Sequence, residues 1–212
     1  MSTQETNPSS VCPLCEGDRG EHQLFCASCK ALFPAQNSFT YFDFFGLPQD
    51  YTIDTADLEN RLLSITRRFH PDFFATNSLE QQELSLEHSA ALNVAHATLK
   101  DDFKRAEYLL GLHGGASTSE DKSTPKGFLE EMLFLREELE EAVDGEDEDT
   151  VATLNTQLSA RHQQLSEKLS ELFRNLDESG AQETLEEIRL TLNAAKYING
   201  LVRDSSSNRM PV

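Results

Sequence analysis

Apolar residues recur every three or four positions along most of the chain, and no segment of any length alternates apolar and polar residues as a strand would. This pattern predicts an all-α protein. The clearest stripe consists of Leu58, Leu62, Ile65 and Phe69. The arginines that fall off this stripe, and should face solvent, are Arg61, Arg67 and Arg68. We expect this helix to end at Pro71, because the residue before a proline avoids the α conformation.

Further helices are predicted on both sides of this one. Upstream, a short first helix should have a core of Phe42, Phe45 and Leu47. Asp54 and Asp57 are placed to cap the helix that follows. Downstream, Ser78-Leu79-Glu80-Gln81 fits a capping box, in which the side chains of the first and last residues bond each other's backbone amides. The next helix carries the stripe Leu84, Ala91, Leu92, Ala95 and Leu99.

The C-terminal part of the chain predicts an antiparallel bundle of three helices, since amphipathic helices with short connections pack in this way. Residues 114–124 form a linker by composition, and Thr124-Pro125 should begin the first helix. The second should span about 150–176, after the acidic run 146–149, and a turn at 178–180 should lead into the third. The inner stripes are Phe128, Met132, Leu135, Leu139 and Val143; Leu154, Leu158, Leu165, Leu169, Leu172 and Leu176; and Leu185, Ile188, Leu192, Ala195 and Leu201.

The tripeptide His70-Pro71-Asp72 lies between two of the predicted helices. Packed against each other, these helices would hold His70 and Asp72 at an exposed tip beside a basic helix face. An ordinary surface turn is the alternative, but the helix–loop–helix context makes the motif specific. The segment resembles the J-domain of DnaK-type co-chaperones. That resemblance implies that the loop and the basic helix engage a heat-shock ATPase and trigger its ATP hydrolysis. The implied contact residues are His70, Pro71, Asp72, Arg61, Arg67 and Arg68.

The cysteines form two pairs with matched spacing, Cys12-x-x-Cys15 and Cys26-x-x-Cys29. Two such pairs complete a tetrahedral four-sulfur site. One structural zinc ion is the natural occupant, because so short a segment has almost no core of its own. An iron centre and a redox dithiol are the alternatives, although a redox pair normally accompanies a βαβ pattern, which is missing here. His22, between the pairs, is expected at the surface, since four sulfurs already fill the site.

Composition narrows the class of partner. A net charge of −19 over 212 residues, with a pI near 4.6, argues against nucleic-acid binding. No window is apolar over the length of a membrane span, and the N-terminal residues lack the apolar core of a secretory signal. They include Glu5 and no arginine, which is not typical of a mitochondrial transit peptide. We expect a soluble cytoplasmic protein, or one of the mitochondrial matrix if a presequence was removed, with its thiols reduced.

Two further stretches make the resemblance more specific. Residues 104–110 and 128–139 resemble the HscB family, the J-type co-chaperones of iron–sulfur cluster assembly, and the cysteine pairs resemble those members with an N-terminal zinc module. The resemblance implies two partners, a DnaK/HscA-type chaperone and the IscU scaffold on which clusters are built. The implied scaffold-binding residues are Leu129, Leu133, Glu137, Glu141 and Tyr197. Glu130, Phe134 and Phe73 depart from the residues common at their positions in the family.

The residues favour a second binding face independently of this resemblance. Leu129 and Leu133 lie one turn apart and off the inner stripe of their helix, and Glu137 and Glu141 continue the same line. Surplus leucines beside carboxylates are typical of a surface that a partner covers. The alternative is that they pack under the J-domain.

The chain is therefore predicted to contain a short disordered tail, a metal module, a J-domain, a linker, a scaffold-binding domain and a second tail. Their bounds are 1–11, 12–38, 39–113, 114–124, 125–204 and 205–212, respectively.

The predicted function is that of a co-chaperone that is not an enzyme and binds no nucleotide, since the ATPase belongs to the partner. No Walker motif, nucleophile–base pair or dinucleotide fingerprint appears in the sequence. A general protein-folding J-protein would carry a Gly/Phe-rich linker and a β-rich client domain, and neither is present. A metal or thiol enzyme would need an open position at its metal, which four thiolates would close. The sequence leaves open whether the chain is a monomer or a weak dimer.

Overall fold

A computed structural model describes residues 11–17, 24–36, 38–176 and 182–207 of the chain. The helices are α1 (Tyr41–Phe45), α2 (Thr55–Phe69), a 3₁₀ helix (Pro71–Phe74), α3 (Leu79–Lys100), α4 (Asp102–Leu112), α5 (Phe128–Asp144), α6 (Glu148–Asn175) and α7 (Gln182–Ser207). The predicted all-α class is confirmed: these residues contain no strand, and an isolated bridge joins Phe25 to Leu32. Nor is any helix among them long and apolar enough to cross a membrane. Several predictions lie outside the described residues: the tails at 1–10 and 208–212, His22 and the turn at 178–180.

The chain divides into two compact units. The first comprises the described residues up to Gln49 together with Ile53–Lys100, and the second comprises Asp50–Thr52 and the described residues from Asp101 onward. The division falls before α4, whereas the sequence placed a linker at 114–124. The reason is the packing of α4, which lies against α6 and α7 of the second unit. Because this burial depends on residues far along the chain, the local sequence does not reveal it.

Short-range capping fixes the ends of the first helices in the first unit. The Asp43 carboxylate accepts bonds from the amide and the hydroxyl of Thr40, at 2.6 and 2.7 Å, and closes a capping box on α1. Gly46 ends that helix with a left-handed φ of 59°, which glycine adopts without steric cost. The Asp54 side chain accepts the amides of Ala56 and Asp57 and caps α2, as predicted. Asp57 does not act as a cap: it lies in the first turn of α2, and its carboxylate accepts from Arg61.

The α2–α3 hairpin carries the core of this unit. The predicted apolar stripes face inward, and the largest fully buried residues include Phe42, Phe45, Leu58, Phe69, Leu92 and Leu99. At the end of α2 the carbonyl of Phe69 accepts hydroxyl bonds from Ser85 and Ser89 of α3, at 2.6 and 2.9 Å. These bonds satisfy a carbonyl that a helix C-terminus leaves unpaired. The last turn of α2 is therefore fixed to α3 just before the His-Pro-Asp tripeptide.

The capping box predicted at the start of α3 is only half present. The Gln81 amide donates to the Ser78 hydroxyl at 3.4 Å, as expected. The Gln81 side chain, however, bonds the backbone of Leu32, whose amide donates to Oε1 at 2.7 Å and whose carbonyl accepts from Nε2 at 3.0 Å. The Gln81 side chain therefore bonds both backbone groups of Leu32, far away in the sequence, in place of the local Ser78 amide.

The second unit contains the predicted three-helix bundle, with α4 beside it. One buried cluster joins all three helices through Met132 of α5, Leu158 of α6 and Ile198 and Leu201 of α7. A second cluster joins the end of α5 to the start of α6 and contains Leu139, Ala142, Val151 and Leu154. The order of these residues shows that α5 and α6 run antiparallel. The connection between them is short, and Asp147 caps α6 by accepting the amide of Thr150.

The start of α5 differs from the prediction. Thr124-Pro125 does not begin the helix. Residues 125–128 form a turn, in which the Phe128 amide donates to the Pro125 carbonyl at 3.1 Å. Gly127 precedes the helix with a φ of 78°, a left-handed conformation that interrupts helical geometry and that side chains disfavour. The helix accordingly begins at Phe128.

The segment predicted as a linker is bonded to α7. The buried Arg189 guanidinium forms two bonds to the Glu107 carboxylate, at 2.6 and 2.8 Å, and a third to the carbonyl of Ala116 at 3.3 Å. Asn193, one turn later, donates to the carbonyls of Asp121 and Ser123. Burial alone would raise the pKa of Glu107, but the bonds from Arg189 and Thr118 outweigh it and hold the pKa below its usual value. The composition of residues 114–124 indicated a linker, and composition carries no information about such long-range partners.

We expect Glu107→Gln to lower the free energy of unfolding by about 3 kcal/mol at pH 7, because it leaves the Arg189 charge buried without an anion. Urea unfolding followed by circular dichroism measures this. The lowered pKa means that the stabilisation is complete above the ordinary glutamate pKa, about 4.3, and is lost as the pH falls below it. The difference in free energy of unfolding between Glu107→Gln and wild type should therefore shrink as the pH falls below about 4.3. The control is the double variant Glu107→Leu, Arg189→Met, which removes both charges. It should lower the free energy of unfolding much less than Glu107→Gln does, and an equal loss in the two variants would show that the buried charge is not the cause.

Candidate metal centre and partner-binding surfaces

The His-Pro-Asp tripeptide sits on a well-supported corner of the first unit. His70 ends α2, and Pro71 begins the 3₁₀ helix that follows. The flanking residues Phe69 and Phe74 are both buried. The tripeptide is therefore held from both sides by core residues, although its own side chains face solvent.

The imidazole and the carboxylate of the tripeptide are both accessible. The His70 and Asp72 side chains are 47% and 87% exposed, with Nδ1 and Oδ2 3.6 Å apart. The Asp72 amide donates to His70 Nδ1 at 3.3 Å. Because Nδ1 accepts this bond, the neutral imidazole carries its proton on Nε2, where it can donate to a partner. Phe73 is exposed beside them, and its ring meets the His70 ring edge-on.

The predicted basic residues of α2 have two different environments. Arg67 and Arg68 are exposed near the tripeptide. Arg61 instead donates to the Asp57 carboxylate at 2.7 Å and to the Phe45 carbonyl at 2.8 Å, so that its guanidinium ties α2 to the end of α1. The sequence indicated that Arg61 faces solvent, but could not show that its donors are used within the unit.

The four cysteines meet at one point, as the spacing predicts. The Sγ atoms of Cys12, Cys15, Cys26 and Cys29 all lie within 4.8 Å of one another. The Cys12 and Cys29 sulfurs are 3.7 Å apart, and the Cys15 and Cys26 sulfurs are 3.5 Å apart. A tetrahedral zinc–thiolate site, with bonds of about 2.3 Å, places its sulfurs about 3.8 Å apart. The donor set and its spacing therefore fit a four-coordinate metal ion.

Both cysteine pairs form the same backbone turn. The amide of Cys12 donates to the Gly17 carbonyl at 2.7 Å, and the amide of Cys26 donates to the corresponding Ala31 carbonyl at 2.9 Å. In each turn the residue directly after the second cysteine, Glu16 or Lys30, has a left-handed φ, of 59° and 65° respectively. Each pair of sulfurs is thus arranged by local backbone bonds, and the described part of the metal module contains two copies of one turn.

The sulfurs themselves favour a cation between them. Amides of Cys29 and Ser28 donate to the Cys26 sulfur and lower its pKa to about 6, against the opposing effect of burial. The Gly17 amide acts in the same sense on Cys15, but the neighbouring sulfurs outweigh it and raise the pKa of Cys15 to about 12. Four thiolates at these distances repel one another, so a bound cation is required to keep all four deprotonated.

The second unit carries a groove between α5 and α7, with a cavity volume of about 800 Å³. Its apolar lining includes Leu129, Leu133 and Tyr197, which are 50%, 55% and 48% exposed. The ring of Tyr197 meets that of Phe128 edge-on, at a centroid distance of 6.1 Å. The structure therefore brings together the three apolar residues implied as scaffold contacts, and leaves each half-exposed rather than buried.

The charged residues at the groove differ from those that the sequence suggested. Glu137 and Glu141 are exposed on α5 but do not line the groove. Lys122, Arg136 and Lys196 line it instead, although Arg136 is also paired with Glu140 at 2.8 Å. No carboxylate belongs to the lining, so the groove is a cationic site on a strongly acidic protein. Sequence analysis did not find this set because its members come from three separate segments.

Comparisons with known proteins agree with both units. A family model described as the HscB C-terminal oligomerisation domain matches residues 124–203. The structure is similar to that of human co-chaperone protein HscB, with a TM-score of 0.80, 27% identity, and coverage of 95% of this chain and 100% of that one. It is also similar to chaperone HscB from Vibrio cholerae, with a TM-score of 0.67, 30% identity, and coverage of 80% and 96%. The Jac1 co-chaperone from Saccharomyces cerevisiae shares the fold, with a TM-score of 0.62, 22% identity, and coverage of 82% and 95%. On its sequence motifs, its fold and these similarities, the chain belongs to the HscB family of co-chaperones.

Proposed function

We propose that this protein stimulates ATP hydrolysis by a DnaK/HscA-type chaperone and delivers an IscU-type scaffold to it, and so assists the assembly and transfer of iron–sulfur clusters. The observation that carries this proposal is the presence of two separate exposed surfaces on one HscB-type chain. One is the His-Pro-Asp corner of the first unit, and the other is the α5–α7 groove of the second. Neither surface offers a nucleophile–base pair, so we propose a binding role and no enzymatic one.

The His-Pro-Asp corner suits a partner with complementary charge. His70 can donate from Nε2, Asp72 can accept, and Arg67 and Arg68 add positive charge on the preceding turn. If this corner binds one conformation of the partner ATPase more tightly than another, it raises the population of that conformation. A protein without catalytic groups can accelerate hydrolysis in this way. Because the buried residues Phe69 and Phe74 already hold this corner in place, it should lose little conformational entropy when a partner binds.

The groove suits a partner surface that is apolar with acidic residues at its edge. Leu129, Leu133 and Tyr197 offer half-exposed apolar area, which a partner would remove from water. Lys122 and Lys196 would pair with carboxylates at the rim. We therefore propose that the scaffold presents such a surface.

We further propose that the metal module holds one structural zinc ion, coordinated by Cys12, Cys15, Cys26 and Cys29. Four sulfurs within one coordination sphere leave no open position for chemistry, and zinc prefers this donor set. When bound, the ion would supply folding energy that the small core around Leu24 and Leu32 cannot supply alone.

Elemental analysis of protein from zinc-replete cells should find about one zinc per chain. Cys15→Ser should lose the metal and loosen residues 12–33, because three thiolates bind zinc far more weakly than four. The melting of the second unit should not change. Ser28→Ala, next to the site but without a ligand atom, is the matched control and should keep its metal. Metal-free wild type would rule out the zinc proposal.

Steady-state ATPase assays with a DnaK/HscA-type chaperone test the whole proposal. The chain should raise ATP turnover, and an IscU-type scaffold should raise it further by joining the same complex. A general folding J-protein would instead stimulate turnover equally with any unfolded client. If neither the scaffold nor the chaperone binds in a pull-down, the proposed function is wrong.

A further inference from the structure

The metal module is bonded to the J-domain helices near the end of α2. Gln81 of α3 pairs with both backbone groups of Leu32, at 2.7 and 3.0 Å. His88, two turns further along α3, lies with its Nε2 atom 2.8 Å from the carbonyl of Phe33, and the imidazole is buried. Both contacted residues follow the second cysteine pair. The module is thus attached through the segment that provides half of the metal site.

Aromatic contacts extend this attachment to the last turn of α2. The ring of Phe25 meets that of Phe69 edge-on, with centroids 6.2 Å apart. The Phe69 ring in turn lies against the His88 ring, with centroids 5.2 Å apart. Leu24, next to Phe25 in the chain, and Leu32, which is bridged to Phe25, are also buried. These residues form one packed layer between the metal site and the helix end that presents the His-Pro-Asp tripeptide.

Arg68 lies on the outer side of this layer. Its guanidinium carbon is 4.8 Å from the centre of the Phe25 ring, the arrangement of a cation–π contact, while the residue as a whole remains exposed. Arg68 is two positions before His70. A flexible arginine at the edge of the partner-facing corner is therefore held in one place by an aromatic residue of the metal module.

The position of Phe25 depends on the metal site. Phe25 directly precedes the ligand Cys26, and the buried residues Cys12, Cys26 and Phe33 form one cluster. Without a bound cation, four thiolates this close together would repel one another, so loss of the metal should loosen this cluster and the adjoining Phe25 ring.

We propose that Phe25 is a positioning residue for Arg68, and that metal binding thereby sets how tightly the J-domain engages its chaperone. An arginine already fixed in its bound conformation loses less rotamer freedom when a partner binds. The metal module is then part of the chaperone-facing surface as well as a fold-stabilising element. This inference rests on the proposed function only in taking the chaperone as the partner of Arg68.

A double-mutant cycle tests the coupling. Phe25→Leu, with its metal content and melting unchanged, should weaken chaperone binding by about two- to fivefold, the size of an exposed cation–π contact. Arg68→Gln should weaken binding in wild type but much less in the Phe25→Leu background. Arg67→Gln is the matched control, and its effect should be the same in both backgrounds. Phe25→Tyr should restore wild-type binding. Strictly additive effects of Phe25→Leu and Arg68→Gln overturn the proposal.

Nuclear magnetic resonance of the free protein tests the positioning without any partner. The ring current of Phe25 should shift the side-chain protons of Arg68 in the metal-loaded wild type, and the shift should disappear both in Phe25→Leu and after metal removal. An unshifted Arg68 in the loaded wild type overturns the inference whatever the chaperone does. A shifted Arg68 in a protein that stimulates no DnaK-type ATPase would overturn the proposed function instead.

Discussion

His70→Gln is expected to abolish stimulation of the chaperone ATPase while leaving the protein folded. The imidazole is half-exposed at the corner after α2, and it accepts a bond from the neighbouring Asp72 amide at 3.3 Å, so its loss should change the free energy of unfolding by less than about 0.5 kcal/mol. At the partner surface the same residue would act as a hot spot, whose loss typically costs 2 kcal/mol or more, or about thirtyfold in affinity.

Steady-state ATP turnover against concentration of the J-protein measures this effect. The control is His113→Gln, an exposed histidine at the end of α4 in the other unit, which should stimulate like wild type. Circular dichroism should show equal helix content in all three proteins. Wild-type stimulation by His70→Gln would mean that this corner is not the chaperone site.

The triple variant Leu129→Ala, Leu133→Ala, Tyr197→Ala is expected to bind the scaffold roughly a hundredfold more weakly or worse, if each truncation costs on the order of 1 kcal/mol and the losses add. The three side chains share one groove and are half-exposed, so their truncation removes contact area for a partner more than support for the core. Scaffold binding should also weaken with added salt, because Lys122 and Lys196 line the same groove.

Isothermal titration with the scaffold measures the change in affinity. Phe134→Ala is the matched control, since Phe134 is as exposed on α5 as the leucines but does not line the groove. Stimulation of the chaperone without scaffold should survive in the triple variant, because that activity belongs to the His70 corner. A triple variant that melts early would show that these residues support the fold, and the scaffold site would then lie elsewhere.

The sequence predicted what depends on local periodicity. The stripes from Leu58 to Phe69 and from Leu185 to Leu201 are buried as expected, apart from the partly exposed Leu62, because a helix must turn its apolar face inward whatever it packs against. The convergence of the four cysteines could also be predicted from local sequence, because backbone bonds within six residues form the turn at each cysteine pair.

Choices between competing partners could not be predicted. Gln81 could satisfy Ser78 locally or Leu32 at long range, and only the folded chain shows that the second partner wins. Arg61 and Arg67 carry the same charge, but the Arg61 guanidinium donates to the Asp57 carboxylate and the Phe45 carbonyl within the first unit. The cationic lining of the groove likewise joins Lys122, Arg136 and Lys196, which have no relation in the sequence.

The two-bond pairing of Gln81 with Leu32 also orders events during synthesis of the chain. The sulfurs of Cys12 and Cys29 are only 17 residues apart, whereas Leu32 and Gln81 are separated by 49. A nascent chain therefore exposes a complete metal site to the cell well before α3 leaves the ribosome, and local contacts form faster than distant ones. The metal module can therefore bind an ion before α3 is available, and then dock onto α3 as an already formed unit.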